Sequence, residues 1–197
     1  MRFIGDVHGK VDEYKKLAEQ ATSSFQVGDV GIGFPGIYYP ELGNNHKFIR
    51  GNHDDPGKCE DYHNNYLGNY GYLPNLELFY LSGAWSIDYQ YRVIGISWWE
   101  DEELSNAELS KACNLYYKVK PKIMVTHECP TTVAEQIKLR DICNTRTGQA
   151  LWRMLDDHQP NLWVFGHHHQ NWQKKLENTQ FVCLDELSVY DVEGLEF

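Results

Sequence analysis

The chain has 197 residues, 42% of them hydrophobic and 14% aromatic, with a formal net charge of −10. That composition argues for a packed core and against disorder. The acidity argues against a long nucleic-acid footprint, which rests on clustered Lys and Arg, but leaves room for a small phosphorylated substrate, because bound dications invert the charge of an acid-lined pocket.

No apolar run reaches the roughly 18 residues of a membrane span. The start, Met1-Arg2-Phe3-Ile4-Gly5-Asp6, has no signal-peptide character. Five cysteines, at 59, 113, 129, 143 and 183, are odd in number and form no Cys-x-x-Cys pair. Reduced thiols in a cytoplasmic protein are therefore expected over a disulfide or zinc framework, and one domain is expected over residues 1–197.

In chain order, short apolar runs alternate with amphipathic stretches. Arg2-Phe3-Ile4 predicts a buried strand, and residues 11–21 a helix with Val11, Tyr14, Leu17, Ala18 and Ala21 on one face. Phe25-Gln26-Val27 and Lys47-Phe48-Ile49 predict two more strands. Residues 76–81, 85–89 and 91–97 read as a run of strands divided by turn signals at Ser82-Gly83 and Gln90. Strands are expected again at 122–125 and 162–165, a helix at 148–158, and extended segments at 180–184 and 188–192. Two β-rich regions with helices around them predict an α/β fold, a two-sheet β-sandwich flanked by helices.

Five polar motifs stand at the ends of the apolar runs: Asp6-Val7-His8, Gly28-Asp29-Val30-Gly31, Gly51-Asn52-His53-Asp54, Thr126-His127 and Gly166-His167-His168-His169. In α/β sheets, ligands collect outside the carboxyl ends of strands. Asp6 and His8, two apart on an extended backbone, should point to one side, as should His167 and His169, with His168 facing away. Glycines at 5, 28, 51 and 166 suit tight turns or close backbone approach. Carboxylate, amide and imidazole donors without thiolate suit Mn or Fe, then Zn. Gly31-Ile32-Gly33-Phe34-Pro35-Gly36 matches Gly-x-Gly-x-x-Gly, but Pro35 and Tyr38-Tyr39-Pro40 would not open a helix, so no nucleotide-binding turn is expected.

In order, residue type and spacing, the five motifs resemble the calcineurin-like metallophosphoesterase family. The resemblance implies a four-layer αββα fold and two divalent metal ions. Asp6, His8, Asp29 and His169 would hold one ion, and Asp29, Asn52, His127 and His167 the other, with Asp29 bridging. It further implies phosphoester hydrolysis by water activated between the ions, with His53 as general acid and Asp54 orienting His53.

The substrate is less defined. Arg50-Gly51-Asn52-His53 is similar to a motif of protein serine/threonine phosphatases, and Arg50 could bind phosphate. Gly31-Ile32-Gly33-Phe34 stands where those enzymes carry an Asp-Arg-Gly arginine. Arg140 and Arg146 are further substrate-binding candidates, and Trp98-Trp99 is a candidate stacking wall. The acid run Glu100-Asp101-Glu102-Glu103 reads as a solvated loop or helix start. The expected reaction is hydrolysis of a phosphomonoester on a phosphoprotein, nucleotide or small metabolite. Phosphodiester hydrolysis of cyclic nucleotides or short oligonucleotides is the alternative, and an inactive binding scaffold the remote third.

Overall fold

The computed structural model describes residues 1–137 and 144–197. Arg140 and Cys143 lie outside the described residues. In chain order the regular elements are β1 (Arg2–Ile4), α1 (Val11–Glu19), β2 (Ser24–Gln26), β3 (His46–Phe48), α2 (Pro56–Cys59), β4 (Tyr70–Leu73) and β5 (Leu78–Leu81). They continue with α3 (Asn106–Val119), β6 (Ile123–Thr126), α4 (Thr131–Gln136), α5 (Arg146–Asp157), β7 (Leu162–Phe165), β8 (Trp172–Leu176), β9 (Thr179–Cys183) and β10 (Val189–Asp191).

The strands form two sheets, ordered β10-β1-β2-β3 and β4-β5-β6-β7-β9-β8. β1, β2 and β3 are parallel, with β10 antiparallel at the edge. β5, β6, β7 and β9 are parallel, flanked by antiparallel β4 and β8.

Side-chain alternation along these strands produces three packed layers of apolar contact. Phe3, Phe25 and Ile49 meet Leu78, Tyr80, Val125, Val164 and Val182 between the sheets. Ile4 and Phe48 point the other way, onto Tyr14 and Ala18 of α1. Phe79, Met124, Trp163, Phe165 and Phe181 pack outward onto α3, α4 and α5 through Tyr116, Val133, Leu151 and Met154. The result is helix, sheet, sheet, helix. Each fully buried valine or phenylalanine contributes about 1.5–3 kcal/mol of burial.

Local signals explain the helix starts. Ser105 and Glu108 form a reciprocal capping box on α3, and the Thr145 hydroxyl accepts from Gly148 N at 2.9 Å to cap α5.

The expected strands at 85–89 and 91–97 do not form. Residues 82–105 are a long loop containing a short 3-10 turn at Tyr89–Tyr91. β5 is paired with β4 on one edge and β6 on the other, so the chain that follows it leaves the ladder rather than turning back alongside β5. Cys59, Cys113, Cys129 and Cys183 are free and buried. Among the described residues no helix is long and apolar enough to cross a membrane.

Candidate metal centre

Asp6, Asp29, Asn52, His127 and His167 each follow the carboxyl end of a parallel strand, namely β1, β2, β3, β6 and β7. Two glycines let the backbones crowd together there. A Cβ on Gly51 would collide with Asp29 Oδ1 and His127 Nε2, and one on Gly166 with Asp6 Oδ1. The strand-alternation argument for the histidine pairs does not hold. His8, Asp29, His167 and His169 are left-handed, with φ of 46°, 61°, 67° and 49°. The chain has left the strand and turned, so convergence comes from bends that cost about 1–3 kcal/mol each. Asp and His tolerate this region better than most residues.

The donors meet in two groups. In the first, His8 Nε2 lies 3.8 Å from Asp6 Oδ2, His169 Nε2 lies 3.5 Å from the same oxygen, and the two imidazole nitrogens are 3.2 Å apart. In the second, His127 Nε2 lies 3.3 Å from Asp29 Oδ1 and 3.2 Å from Asn52 Oδ1, and the His167 ring packs against that of His127. Asp29 stands between them, its Oδ2 3.8 Å from His8 Nε2.

The surrounding hydrogen bonds orient these donors. His127 Nδ1 donates to Val27 O at 2.9 Å, which turns Nε2 inward. Asn52 Nδ2 donates to Ser86 Oγ at 3.0 Å, and that hydroxyl donates to Glu102 Oε2 at 2.6 Å. This chain leaves Asn52 Oδ1 for the site. His168 points away, to Glu128 Oε1 at 2.9 Å and Cys129 Sγ at 3.2 Å. The other Glu128 oxygen lies 3.7 Å from His167 Nε2.

Charge follows the same geometry. Burial opposes protonation of His127, yet Asp29 and Asp6 outweigh it and push its pKa up to about 10. Burial also works against the Asp29 anion, but His127, His53 and His8 hold its carboxyl well below the usual range. The cluster is a buried negative site that attracts positive charge.

His53 stands at the rim of the site. Its backbone N–H donates to Asp29 Oδ1 at 2.7 Å, its ring lies edge-on to His8 at 4.8 Å, and Phe34 stacks on it at 6.0 Å. Burial lowers the His53 pKa and Asp29 opposes that shift. Phe34 comes from the Gly31–Gly36 turn, which no helix follows, and Trp99 packs edge-on against it. Arg92 Nη2 donates to His53 Nε2 at 2.7 Å.

Several expected roles change. Asp54 does not orient the His53 ring. Its Oδ1 accepts from Gly31 N and Ile32 N, and its Oδ2 from Asp29 N, Val30 N and Gly51 N. Five amides take up both oxygens, so Asp54 builds the loop that presents Asp29. Arg50 is buried, with Nη1 donating to Glu102 O at 2.6 Å and Nε to Asn69 Oδ1 at 3.2 Å. Those protein acceptors hold it as a pin for the 82–105 loop, away from a phosphate role. Arg146 opens α5 and pairs with Glu103 at 3.4 Å, lining an acid-rich cavity with Arg50. The acid run divides: Glu100 and Asp101 are exposed, whereas Glu102 and Glu103 are buried. Glu103 accepts from Thr147 N and Oγ1. Arg92, Ser86 and Glu102 carry no sequence signal as site residues, because Arg92 meets His53 across 39 positions, Ser86 meets Asn52 across 34, and Glu102 acts only through Ser86.

The sequence profile described as calcineurin-like phosphoesterase matches residues 2–171. The chain belongs to the calcineurin-like phosphoesterase family. A search of curated proteins finds no match. Among solved structures, GAP50, the anchor in the inner membrane complex of Plasmodium, is similar, with a TM-score of 0.50 and 11% identity. That match covers 94% of this chain and 71% of the other, and at this identity it speaks for the fold alone.

A calcineurin-like phosphoesterase uses divalent metal ions, and the donor set here fits them. Without a cation, the facing His8 and His169 nitrogens, 3.2 Å apart, share one proton at best. The oxygen and nitrogen donors of Asp6, His8 and His169, and those of Asp29, His127 and His167, lie within 4.8 Å of one another. Hard carboxylate and borderline imidazole donors suit first-row dications.

Proposed function

We propose that this calcineurin-like phosphoesterase hydrolyses phosphomonoesters, on a phosphoprotein or a small phosphorylated molecule, with two divalent ions, Mn or Fe ahead of Zn. In this reading Asp6, His8, Asp29 and His169 hold one ion, and Asp29, Asn52, His127 and His167 the other. The observation that carries it is the Asp29 carboxylate, with Oδ1 toward His127 and Oδ2 toward His8. Ions bound there supply a Lewis-acid field that lowers the pKa of water and stabilises phosphoryl charge. The protein's own part is orientation: Asp54 sets the Asp29 loop, Ser86 and Glu102 set Asn52, and Val27 O sets His127. His53 gives a proton to the leaving oxygen. A monoester's terminal oxygens call for a cationic group, and Arg92 stands beside His53.

Nitrophenyl phosphate and its bis ester, assayed in parallel with added manganese, test the reading. Faster turnover of the monoester is expected, and faster turnover of the bis ester would put the diesterase alternative in its place. Asp29→Asn should lose metal, and full occupancy by elemental analysis would end the bridging assignment. A weaker effect is expected for Glu102→Ala, which frees Ser86 and with it the Asn52 amide. Affinity for one of the two ions should fall roughly 10–100-fold in competition with a chromogenic chelator. Two unchanged affinities would remove Glu102 from that chain.

A further inference from the structure

The loop carrying Arg92 has its polarity reversed. Tyr91, Val93 and Ile94 around it are 85%, 57% and 68% exposed, whereas the Arg92 side chain is only 10% exposed. A guanidinium turned inward while its apolar neighbours face water costs desolvation that a partner must offset. Asp88 offsets part of it, four residues back on the same turn, with Oδ1 at 2.6 Å from Nη2. Arg92 N donates to Tyr89 O, so the turn itself aims the side chain. The Nη1 group is buried and, among the described residues, has no hydrogen-bond partner. Nη2 is therefore held between Asp88 Oδ1 at 2.6 Å and His53 Nε2 at 2.7 Å, and Nη1 keeps unused donors.

We propose that Arg92 is the phosphate-binding residue of this site and makes it select monoesters over diesters. The proposal rests on the phosphoesterase reading above. A planar guanidinium offers paired N–H donors that match two oxygens of one phosphoryl group. A monoester keeps three non-bridging oxygens and up to two negative charges, whereas a diester keeps two oxygens and one charge. Arg92 thus finds a full partner on the first and a poorer one on the second.

The test uses the full-length protein with manganese and the variants Arg92→Ala and Arg92→Lys. Inorganic phosphate binding is read by calorimetry, kcat/KM on nitrophenyl phosphate and the bis ester by absorbance, and metal content by elemental analysis. Arg92→Ala should weaken phosphate binding and monoester kcat/KM by about 10²-fold, as for loss of a charge-assisted pair. The bis ester should lose at least about tenfold less, with metal content kept. Arg92→Lys should fall between, because a point charge lacks the fork, and it decides the matter if the alanine variant does not fold. Unchanged phosphate affinity in the variants would overturn the proposal, as would equal losses on both esters. If the wild type turns over neither ester, the phosphoesterase reading fails, while phosphate titration of wild type and variants still reports on Arg92. If the wild type binds no phosphate, both fail.

Discussion

Asp54→Ala is expected to be the most damaging single substitution near the site, with the loss appearing first in stability. The carboxylate accepts five backbone N–H groups, from residues 29, 30, 31, 32 and 51. Alanine leaves those donors without an acceptor. Each stranded buried amide costs about 1–3 kcal/mol, so even with water rescuing several of them the loss is about 4 kcal/mol or more. Total domain stability is about 5–15 kcal/mol. For a chain of this size a thermal midpoint drop of about 8 °C or more follows, measurable by calorimetry. Asp54→Asn retains one oxygen acceptor and should fall between wild type and alanine. An unchanged midpoint in the alanine variant would refute the loop-building role.

His53→Asn should behave in the opposite way, keeping the fold and the metals while losing turnover. The ring lies at the rim among Phe34, His8 and Arg92, and its backbone N–H, which asparagine retains, makes the bond to Asp29. A missing general acid lowers rate by roughly 10²–10⁴-fold. The loss should be largest for alkyl phosphates, whose leaving oxygens need the proton, and smallest for nitrophenyl phosphate. Rate measurements across a leaving-group series check this. A uniform loss along the series would remove His53 from the acid role.

What the sequence made legible follows a physical pattern. Residues at the ends of buried strands could be located, because period and composition mark the strands and the turn chemistry marks their ends. Asp6, Asp29, Asn52, His127 and His167 belong to that group. The roles of their neighbours could not be read the same way. Asp54 adjoins His53 in sequence, but its oxygens turn toward amides about 25 positions away. Arg50 sits in a familiar tetrapeptide, yet its burial against Glu102 O decides its use. Glu102 and Glu103 look like solvated acids until Ser86 and Thr147 are brought to them. The 85–97 segment is rich in β-forming residues and still forms no strand, because β propensity is realised only through packing against neighbouring strands. β8, an edge strand reading Trp-Gln-Lys-Lys-Leu, gave little apolar signal because its Gln and Lys residues face water.

The packing between the sheets has a bearing on chemistry that its distance from the reacting atoms hides. Asp6, Asp29 and Asn52 are carried by the four-stranded sheet, and His127 and His167 by the six-stranded one. Each half therefore holds an incomplete set of donors, and the site closes only when both halves are in register. Phe3, Phe25 and Ile49, interdigitating with Val125, Val164 and Val182, fix that register. Close-packed interiors do not slide continuously. The inter-sheet core is thus the alignment gauge of the centre: its side-chain volumes set the spacing between two banks of ligands that meet nowhere along the sequence.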